Sequence, residues 1–410
     1  MKLTYKHTAI ACYLSYITSA VINNLTSLLF VTFQREFGLT LDQLAFLIVM
    51  NFGVQIFVDF IGAKFADRIG YRRIVMASHV FAAAGLVFLA FLPKILPSAF
   101  IGLIISAFTY AVGSGLMEVI ISPITEALPS EAKASSMSFM HSFYCWGCVL
   151  VAVVSTLFFK FAGIENWSVL CLIWALLPVS ALFLFKFVPI NQLCEGEEKK
   201  PLTALFRTGV MWLFMILMAC SGAAEQSMAQ WASYFAETEL GVTKQTADLL
   251  GPCTFAIAMG ISRVAFAKIT KKIDMKICLL VSGILCIVSY AMTAFIPYSY
   301  LSLAGCALCG LSVGAMWPGV LSLSAETNPS GGTSMFAILA LCGDVGCFSG
   351  PEAIARAASA LSADGEPSVK AGLSVGIVFP LVIVAAVLFL MLISKRKSGE
   401  NFAENSQMGK

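Results

Sequence analysis

The chain has 410 residues, of which 59% are hydrophobic and only 12% are charged, and its formal net charge is +3. A soluble domain has about 25% charged residues, so this composition excludes a water-soluble globular protein and predicts one that lies in a lipid bilayer. The small positive charge gives no indication of a nucleic-acid partner.

Apolar runs of about 20 residues, the length of a helix that crosses a bilayer, recur along the whole chain. We predict an all-α polytopic membrane protein with 12 transmembrane helices, numbered spans 1 to 12 in chain order. The spans are predicted at residues 8–32, 41–62, 73–93, 98–128, 132–162, 166–188, 207–237, 243–267, 275–296, 299–327, 332–360 and 369–394. Their apolar residues are continuous and do not alternate with polar ones, which argues against a membrane β-barrel.

Basic residues are distributed unevenly between the two sides of these spans. With the N-terminus in the cytoplasm, all but six of the 26 Lys and Arg residues fall on the cytoplasmic side. The six exceptions are Arg35, Lys94, Lys160, Lys244, Arg356 and Lys370. The positive-inside rule therefore predicts a multi-pass protein of the cytoplasmic (inner) membrane with both termini in the cytoplasm.

The two halves of the sequence resemble each other weakly. "EALP" at 126–129 matches "ETNP" at 326–329, between spans 4 and 5 and between spans 10 and 11. We predict an N-terminal six-helix bundle (1–188), a cytoplasmic linker (189–206), a C-terminal six-helix bundle (207–394) and a disordered cytoplasmic tail (395–410). Two pseudo-symmetric bundles imply alternating access to a site near the bilayer midplane.

The loop between spans 2 and 3 contains a known type of motif. "GAKFADRIGYRR" at 62–73 resembles the cytoplasmic loop signature of the major facilitator superfamily (MFS), G-x-x-x-D-R-x-G-R-R, with departures at Ala63 and Tyr71. The matching residues are Asp67, Arg68, Gly70 and Arg72. The resemblance implies the MFS fold and a gating role in which the loop braces one half against the other. A basic loop that only sets the topology is the alternative.

Glu118 places a carboxyl group in the apolar span 4. A charge at membrane depth is costly, so this acid is expected to face a cavity, to have a partner or to be protonated. At 1.5 Å per residue, His141 of span 5 lies at the same depth, and Ser122 extends the polar face of span 4 by one turn. We predict proton coupling at Glu118 and His141, with a bonded structural acid and a packed histidine as alternatives.

A narrower resemblance rests on E-x-x-x-x-P at 118–123 and on "FQREFGLT" at 33–40. Both are similar to the fucose–galactose–glucose:proton symporter group of the MFS, and the resemblance implies that the span 4 acid couples proton movement to sugar binding. The fucose permease of that group also has an aspartate in span 1. Its position falls on Ser27 here, with Asn23 and Asn24 as the nearest polar residues, which leaves the sugar specificity and the coupling ion open.

Span 7 is the most polar of the predicted spans. Its polar and aromatic candidates are Glu225, Gln226, Gln230 and Trp231. Amides and carboxylates pair with sugar hydroxyls, and an indole stacks on the apolar face of a sugar ring, so we predict solute contacts here. Glu225 corresponds to Asn24 of the first half, and the two are expected to meet across the central cavity. Polar contacts between helices are the alternative.

Spans 10 and 11 repeat the arrangement of spans 4 and 5. Trp317 and Asp344 lie at matching depth on either side of the intervening turn. Asp344 is a candidate second proton-coupling acid or a buried, bonded group, and Trp317 is a candidate for stacking on the solute or for packing. Glu352 and Arg356 are spaced for an i, i+4 ion pair near the outer end of span 11.

Polar residues of spans 2 and 8 complete the set. Asn51 and Gln55 lie one turn apart in span 2 and are predicted solute contacts. Asp59, one turn further, is interpreted as a gating or structural residue. Arg263 of span 8 is predicted near the inner gate, paired with an acid.

Together, these residues predict a secondary active transporter that imports a sugar or polyol with a proton. The predicted proton-coupling residues are Glu118, His141 and Asp344. The predicted solute contacts are Asn23, Asn24, Ser27, Asn51, Gln55, Glu118, Ser122, His141, Glu225, Gln226, Gln230, Trp231 and Trp317.

Three alternatives stay open: a proton-coupled exporter on the same fold, a Na⁺-coupled sugar symporter, and a membrane sensor or membrane-embedded enzyme. The several amides argue mildly against an exporter of lipophilic cations. The sequence has no P-loop, metal cluster or suitably spaced nucleophile–base pair, so we expect no enzymatic activity, no cofactor and no metal. The expected partners are a small solute, H⁺ or Na⁺ and the lipid bilayer, with no nucleic acid and a monomeric chain.

Overall fold

The computed structural model describes residues 3–129, 133–191, 209–269, 273–328, 332–361 and 367–408. Within these residues, 11 helical segments are long and apolar enough to cross a membrane, and a bent helix pair at the N-terminus forms one further span. The predicted all-α architecture is therefore confirmed. Most of the predicted linker, from residue 192 onwards, lies outside the described residues.

The helices match the predicted spans closely. Spans 1 to 6 are Tyr5–Leu28 with Phe30–Phe37, Leu41–Ile69, Tyr71–Ile95, Ala99–Glu126, Lys133–Ala162 and Trp167–Phe187. Spans 7 to 12 are Gly209–Thr238, Lys244–Asp248 with Leu249–Cys253 and Thr254–Ile269, Met275–Phe295, Ser299–Val313 with Met316–Thr327, Gly332–Ala360, and Val369–Val375 with Val378–Met408. The helix of span 12 continues to Met408, so the tail predicted to be disordered is helical over residues 395–408; its Lys, Glu, Ala and Gln residues favour a helix.

Four spans that the sequence presents as single helices are interrupted, and a proline accounts for the interruption in three of them, spans 8, 10 and 12; in span 10, Gly314 lies four residues before Pro318. A proline removes the hydrogen bond to the carbonyl four residues earlier and crowds it. The helices of span 8 change at Asp248, four residues before Pro252, through the π-helical turn Leu249–Cys253. In span 12 the first segment ends at Val375, and Gly376 lies four residues before Pro380.

Span 1 bends by 46° between its two helices. No proline lies at this bend. Instead, Ser27 donates its hydroxyl to the carbonyl of Asn24 at 2.8 Å, and Asn24 donates its amide to the carbonyl of Ala20 at 2.8 Å. Side chains that bond to carbonyls of the preceding turn compete with the helical hydrogen bonds and bend helices.

The two halves pack in the same way. In the first half, span 1 packs on span 5, span 2 on span 4, and span 3 on spans 4 and 6. In the second half, each partner number rises by six: span 7 packs on span 11, span 8 on span 10, and span 9 on spans 10 and 12. This correspondence is what two pseudo-symmetric bundles require.

Three helix pairs join the halves: span 1 with span 7, span 2 with span 11, and span 5 with span 8. Within each half, short connections separate consecutive spans, and each span runs opposite to the one before it. We call the end that carries Phe37 and Thr238 the outer end, and the end that carries Tyr5 and Phe187 the inner end. A central space between the halves is the place where a solute could bind.

Close packing of spans 7 and 11 depends on glycine, and this gives a first prediction. A Cβ at Gly346 would overlap the carbonyl group of Ala219, whereas a Cβ at Gly209 would meet nothing within 4 Å. We expect Gly346→Val to lower the free energy of unfolding by about 1–3 kcal/mol, the cost of overpacking, and Gly209→Val to leave it nearly unchanged. Thermal unfolding of the purified variants in detergent measures this, and equal melting temperatures for the two would contradict it.

Candidate functional site

A small cavity with a mostly apolar wall and a few polar groups lies between the two halves. Its walls are Asn24, Tyr144 and Cys148 from the first half, and Glu225, Gln226, Ala229, Pro252, Phe255, Ala256 and Met259 from the second. Asn24 and Glu225, which are expected to meet across the central cavity, therefore line the same space. The cavity combines amides, one carboxyl group and aromatic rings, which is the chemistry of a site for a polar, partly apolar solute.

Asn23 is the centre of a hydrogen-bond network beside this cavity. Its Oδ1 accepts hydrogen bonds from Asn51 Nδ2 at 2.9 Å and from Gln55 Nε2 at 3.0 Å, and its Nδ2 donates to the hydroxyl of Tyr144 at 3.4 Å. Gln230 of span 7 donates to the backbone carbonyl of Asn23 at 2.9 Å. The structure thus joins four of the candidate positions in one network that crosses between the halves.

Arg263 of span 8 faces the cavity and pairs with an acid, as the sequence predicts. Its Nη2 lies 3.8 Å from Oε2 of Glu225, whose side chain is 8% exposed. Arg263 lies six residues before the inner end of span 8 at Ile269, and its side chain reaches the cavity residue Glu225. The charge of Glu225 is therefore compensated within the second half.

Three further carboxyl groups lie close together on the inner side of the central space. Asp59 and Glu118 belong to the first half and Asp344 to the second, and each is near enough for its charge to act on another. Within the described residues, Glu118 and Asp344 form no hydrogen bond or ion pair, and Oδ1 of Asp59 is buried without a partner. The Glu118 side chain is exposed in the isolated chain.

Asp59 is the predicted gating or structural residue of span 2. The packing of span 2 against both span 4 and span 11 brings it beside Glu118 and Asp344.

Tyr16 of span 1 stands between the candidate residues of spans 4 and 5. Its hydroxyl lies 3.3 Å from the Ser122 hydroxyl, and its ring meets the His141 ring edge-on at a centroid distance of 5.0 Å. Glu118 acts electrostatically on Tyr16, and Arg263 acts on both Tyr16 and His141. The equal depth predicted for Glu118 and His141 thus becomes a shared contact with Tyr16, a residue that the sequence does not single out.

Two of the predicted aromatic contacts have packing roles in the structure. Trp231 is fully buried, donates its indole N–H to the carbonyl of Pro351 at 3.0 Å and packs on Phe30, so it does not reach the cavity. The Trp317 ring lies on the Cα of Gly343, next to Asp344, and it is half-buried. Glycine at this point allows span 10 to approach span 11 closely.

The remaining span 7 candidate, Gln226, reaches the cavity. Its Oε1 accepts a hydrogen bond from Gln230 at 3.1 Å while its side chain lines the cavity wall. Ser27, the position equivalent to the acid of the similar symporter group, is buried and bonded to its own helix. Its hydroxyl is therefore engaged in the bend of span 1.

The loop motif contributes a local contact within the first half. Arg72 donates to the carbonyls of Lys186 at 3.0 Å and Val188 at 2.7 Å, and also to that of Phe185, so it caps the end of span 6. Gly70 has φ +91°, a conformation that favours glycine. The side chains of Asp67 and Arg68 lie outside the described residues.

The halves are joined at the outer end. Arg35 Nη2 of span 1 lies 3.2 Å from Glu237 Oε1 of span 7, and the Tyr234 hydroxyl donates to Gln34 Oε1 at 3.2 Å. Glu352 and Arg356 form the predicted ion pair at 2.7 Å on the surface of this end. Asp248, an acid in span 8 that sequence reasoning missed, is fully buried here; its only sequence signal is the i, i+4 spacing from Lys244.

Two six-helix halves that enclose a polar cavity and acidic groups define a secondary membrane transporter. The chain belongs to the Major Facilitator Superfamily, whose family model matches residues 12–351. The resemblance of the 62–73 loop to this superfamily is thereby confirmed. No curated protein matches the sequence.

Solved structures share this fold. A D-xylose–proton symporter is 16% identical, with a TM-score of 0.75 over 94% of this chain and 97% of that one. The nucleoside transporter NupG is 14% identical, with a TM-score of 0.71 over 94% and 98% of the two chains. The E. coli fucose:proton symporter FucP is 16% identical, with a TM-score of 0.64 over 93% and 98%. At these identities the similarity is one of fold.

Proposed function

We propose that this protein imports a sugar or a similar polyhydroxylated solute together with a proton, across the cytoplasmic membrane and with both termini in the cytoplasm. One observation carries the proposal. A cavity lined by Asn24, Gln226 and Glu225, whose charge Arg263 balances, lies between the two halves, and three acids of the central space have no cationic partner among the described residues.

The cavity supports a polar, uncharged solute. Amide and carboxylate groups at Asn24, Glu225 and Gln226 can donate to and accept from neighbouring hydroxyls. The ring of Tyr144 offers an apolar face against which a sugar ring can pack. Arg263 already balances the charge of Glu225. A solute bound in the cavity therefore needs no charge of its own.

The acids support coupling to a proton. Asp59 and Glu118 move with the first half and Asp344 with the second, so their mutual repulsion changes as the halves move. An added proton lowers that repulsion, and its loss restores it. In this mechanism, solute and proton bind while the outer side is open and the inner side is closed. The outer side then closes, the inner side opens, and solute and proton are released to the cytoplasm.

Glu118 is the acid best placed for this proton. Its side chain is exposed, and its charge acts on Tyr16, the residue that meets Ser122 and His141. Two of the fold relatives named above are sugar–proton symporters, which agrees with the proposal. The nucleoside transporter among them makes nucleosides a class to test alongside sugars.

The test is a pH recording in a lightly buffered suspension of de-energised cells that express the protein, with membrane insertion verified by an epitope tag. Sugars, polyols and nucleosides are added one at a time. We expect alkalinisation of the medium with one class of solute, and none in cells without the protein. Acidification would indicate exchange for a proton and favour export. Silence across the panel, or uptake that depends on sodium instead, would overturn proton symport.

A further inference from the structure

The outer ends of spans 7 and 8 contain a buried charged cluster that the proposed cycle does not use. We define this outer cluster as Ser233, Glu237, Lys244 and Asp248. Lys244 Nζ lies 2.6 Å from Asp248 Oδ1 and 3.4 Å from the Ser233 hydroxyl, and Ser233 donates to the same Asp248 oxygen. Asp248 is fully buried and the Lys244 side chain is 13% exposed, so these charges are largely withdrawn from water.

Two carboxyl oxygens of the outer cluster are left over. Asp248 Oδ2 and Glu237 Oε2 are buried and have no hydrogen-bond partner among the described residues. A buried acceptor without a donor loses its hydration without compensation. A hydrogen-bond donor beside one of these oxygens, or a proton bound to it, would remove that cost.

The charge balance of the outer cluster depends on the other half of the molecule. On the second half alone, Glu237 and Asp248 face a single cation, Lys244. The missing positive charge comes from Arg35 of span 1, 3.2 Å from Glu237 Oε1. The nearby Glu239 is engaged elsewhere, with the Ser368 hydroxyl and the backbone N–H of Lys370.

We propose that the outer cluster is a second proton-binding site, filled from outside when the outer end opens, and that Arg35 takes the place of the proton when the outer end closes. Opening separates span 1 from span 7 and withdraws Arg35, which leaves one negative charge in excess. A proton that binds a carboxyl oxygen of Glu237 or Asp248 restores neutrality. On closure, the O–H bond breaks, the proton leaves to water and the guanidinium group pairs with Glu237.

The geometry favours a proton over a metal cation. Lys244 already occupies the centre of the outer cluster, and no group of three or more His, Cys, Asp or Glu residues within the described part of the chain could hold a metal ion. A proton needs one oxygen and no coordination shell. The inference rests on the alternating movement of the proposed function but requires no particular solute.

The consequence is that external acid stabilises the open outer end. The test measures opening directly, without a solute. Spin labels at Asp42→Cys and Leu361→Cys, both exposed at the outer ends of opposite halves, report the separation of spans 2 and 11 by pulsed electron resonance. The purified chain, with its other accessible cysteines replaced by serine, is held in lipid nanodiscs over a range of pH.

We expect the fraction with long separations to rise as the pH falls. Arg35→Gln removes the group that replaces the proton in the closed state, so the open and closed states can both hold the proton and the pH dependence of opening should be lost. Glu237→Gln removes one of the two carboxyl groups of the outer cluster, so the fraction with long separations should change little with pH. Glu352→Gln, which changes an acid of a surface ion pair at the same end, should behave as the parent.

Three results would overturn the inference: the parental pH dependence in Arg35→Gln, the parental pH dependence in Glu237→Gln, or loss of the pH dependence in Glu118→Gln alone, which would assign it to the inner acids. The Arg35 side chain is 73% exposed, so Arg35→Gln should fold even where Glu237→Gln does not. Failure of the solute assay leaves this measurement intact, so the two proposals fail separately.

Discussion

Replacing Glu118 with glutamine should abolish proton-driven accumulation of the solute while exchange across the membrane continues. The amide keeps the size of the side chain but cannot carry a proton in and release it. One proton that crosses a membrane potential of about 100 mV contributes about 2.3 kcal/mol, which corresponds to about 50-fold accumulation. We expect the parent to approach this ratio and the variant to stop near equal concentrations.

Radiolabelled uptake in energised cells measures the accumulation, and counterflow in vesicles measures the exchange. Glu352→Gln serves as the control, because this acid lies at the outer surface, away from the central space. Parental accumulation in Glu118→Gln would remove Glu118 from the coupling mechanism. Loss of both accumulation and counterflow would show that the residue is needed for solute binding or movement.

The second large effect is expected at the Arg263–Glu225 pair. Arg263→Gln leaves the carboxylate of Glu225, 8% exposed, without its cation. Removal of one partner of a buried ion pair costs about 3–5 kcal/mol. Because 24% of the Arg263 side chain is exposed, water screens the pair, and we expect a loss at or below the lower end of that range. Solute affinity should fall as well, because the pair shapes the cavity wall.

A double-mutant cycle separates the pair from its two residues. Glu225→Gln combined with Arg263→Gln should recover most of the lost stability, since no unpaired charge remains. Arg356→Gln breaks an ion pair whose arginine side chain is 78% exposed, and it should change the melting temperature little. Additive losses in the double variant would mean that the two side chains do not stabilise each other.

The spans could be predicted from the sequence because each leaves a local signal, a run of apolar residues long enough to cross a bilayer. The breaks in spans 8 and 12 also have a local cause, in Pro252 and Pro380. The sequence does not reveal whether such a proline bends, interrupts or only weakens the helix, because that depends on the neighbouring helices that satisfy the freed carbonyl.

The site is predicted less completely, because it depends on how spans from two halves meet. Depth along a helix places Asn24 and Glu225 correctly on one cavity, since depth follows from residue counting. Depth does not give the direction in which a side chain points. Trp231 therefore appears equivalent to its neighbour Gln230 in the sequence, although its ring packs against spans 1 and 11. The surroundings of Asp59 and Asp248 likewise depend on contacts between helices, which a local sequence pattern does not reveal.

The hydrogen bond from Gln230 to the backbone carbonyl of Asn23 crosses from one half to the other. Opening the outer end must break it, and this leaves an amide and a carbonyl at the mouth of the cavity without partners. Water satisfies them in part, whereas the hydroxyl groups of a bound solute can replace both partners at fixed positions. Under the proposed mechanism, this hydrogen bond stabilises the closed outer end of the empty carrier, and the hydroxyl groups of a solute lower the free-energy cost of opening it.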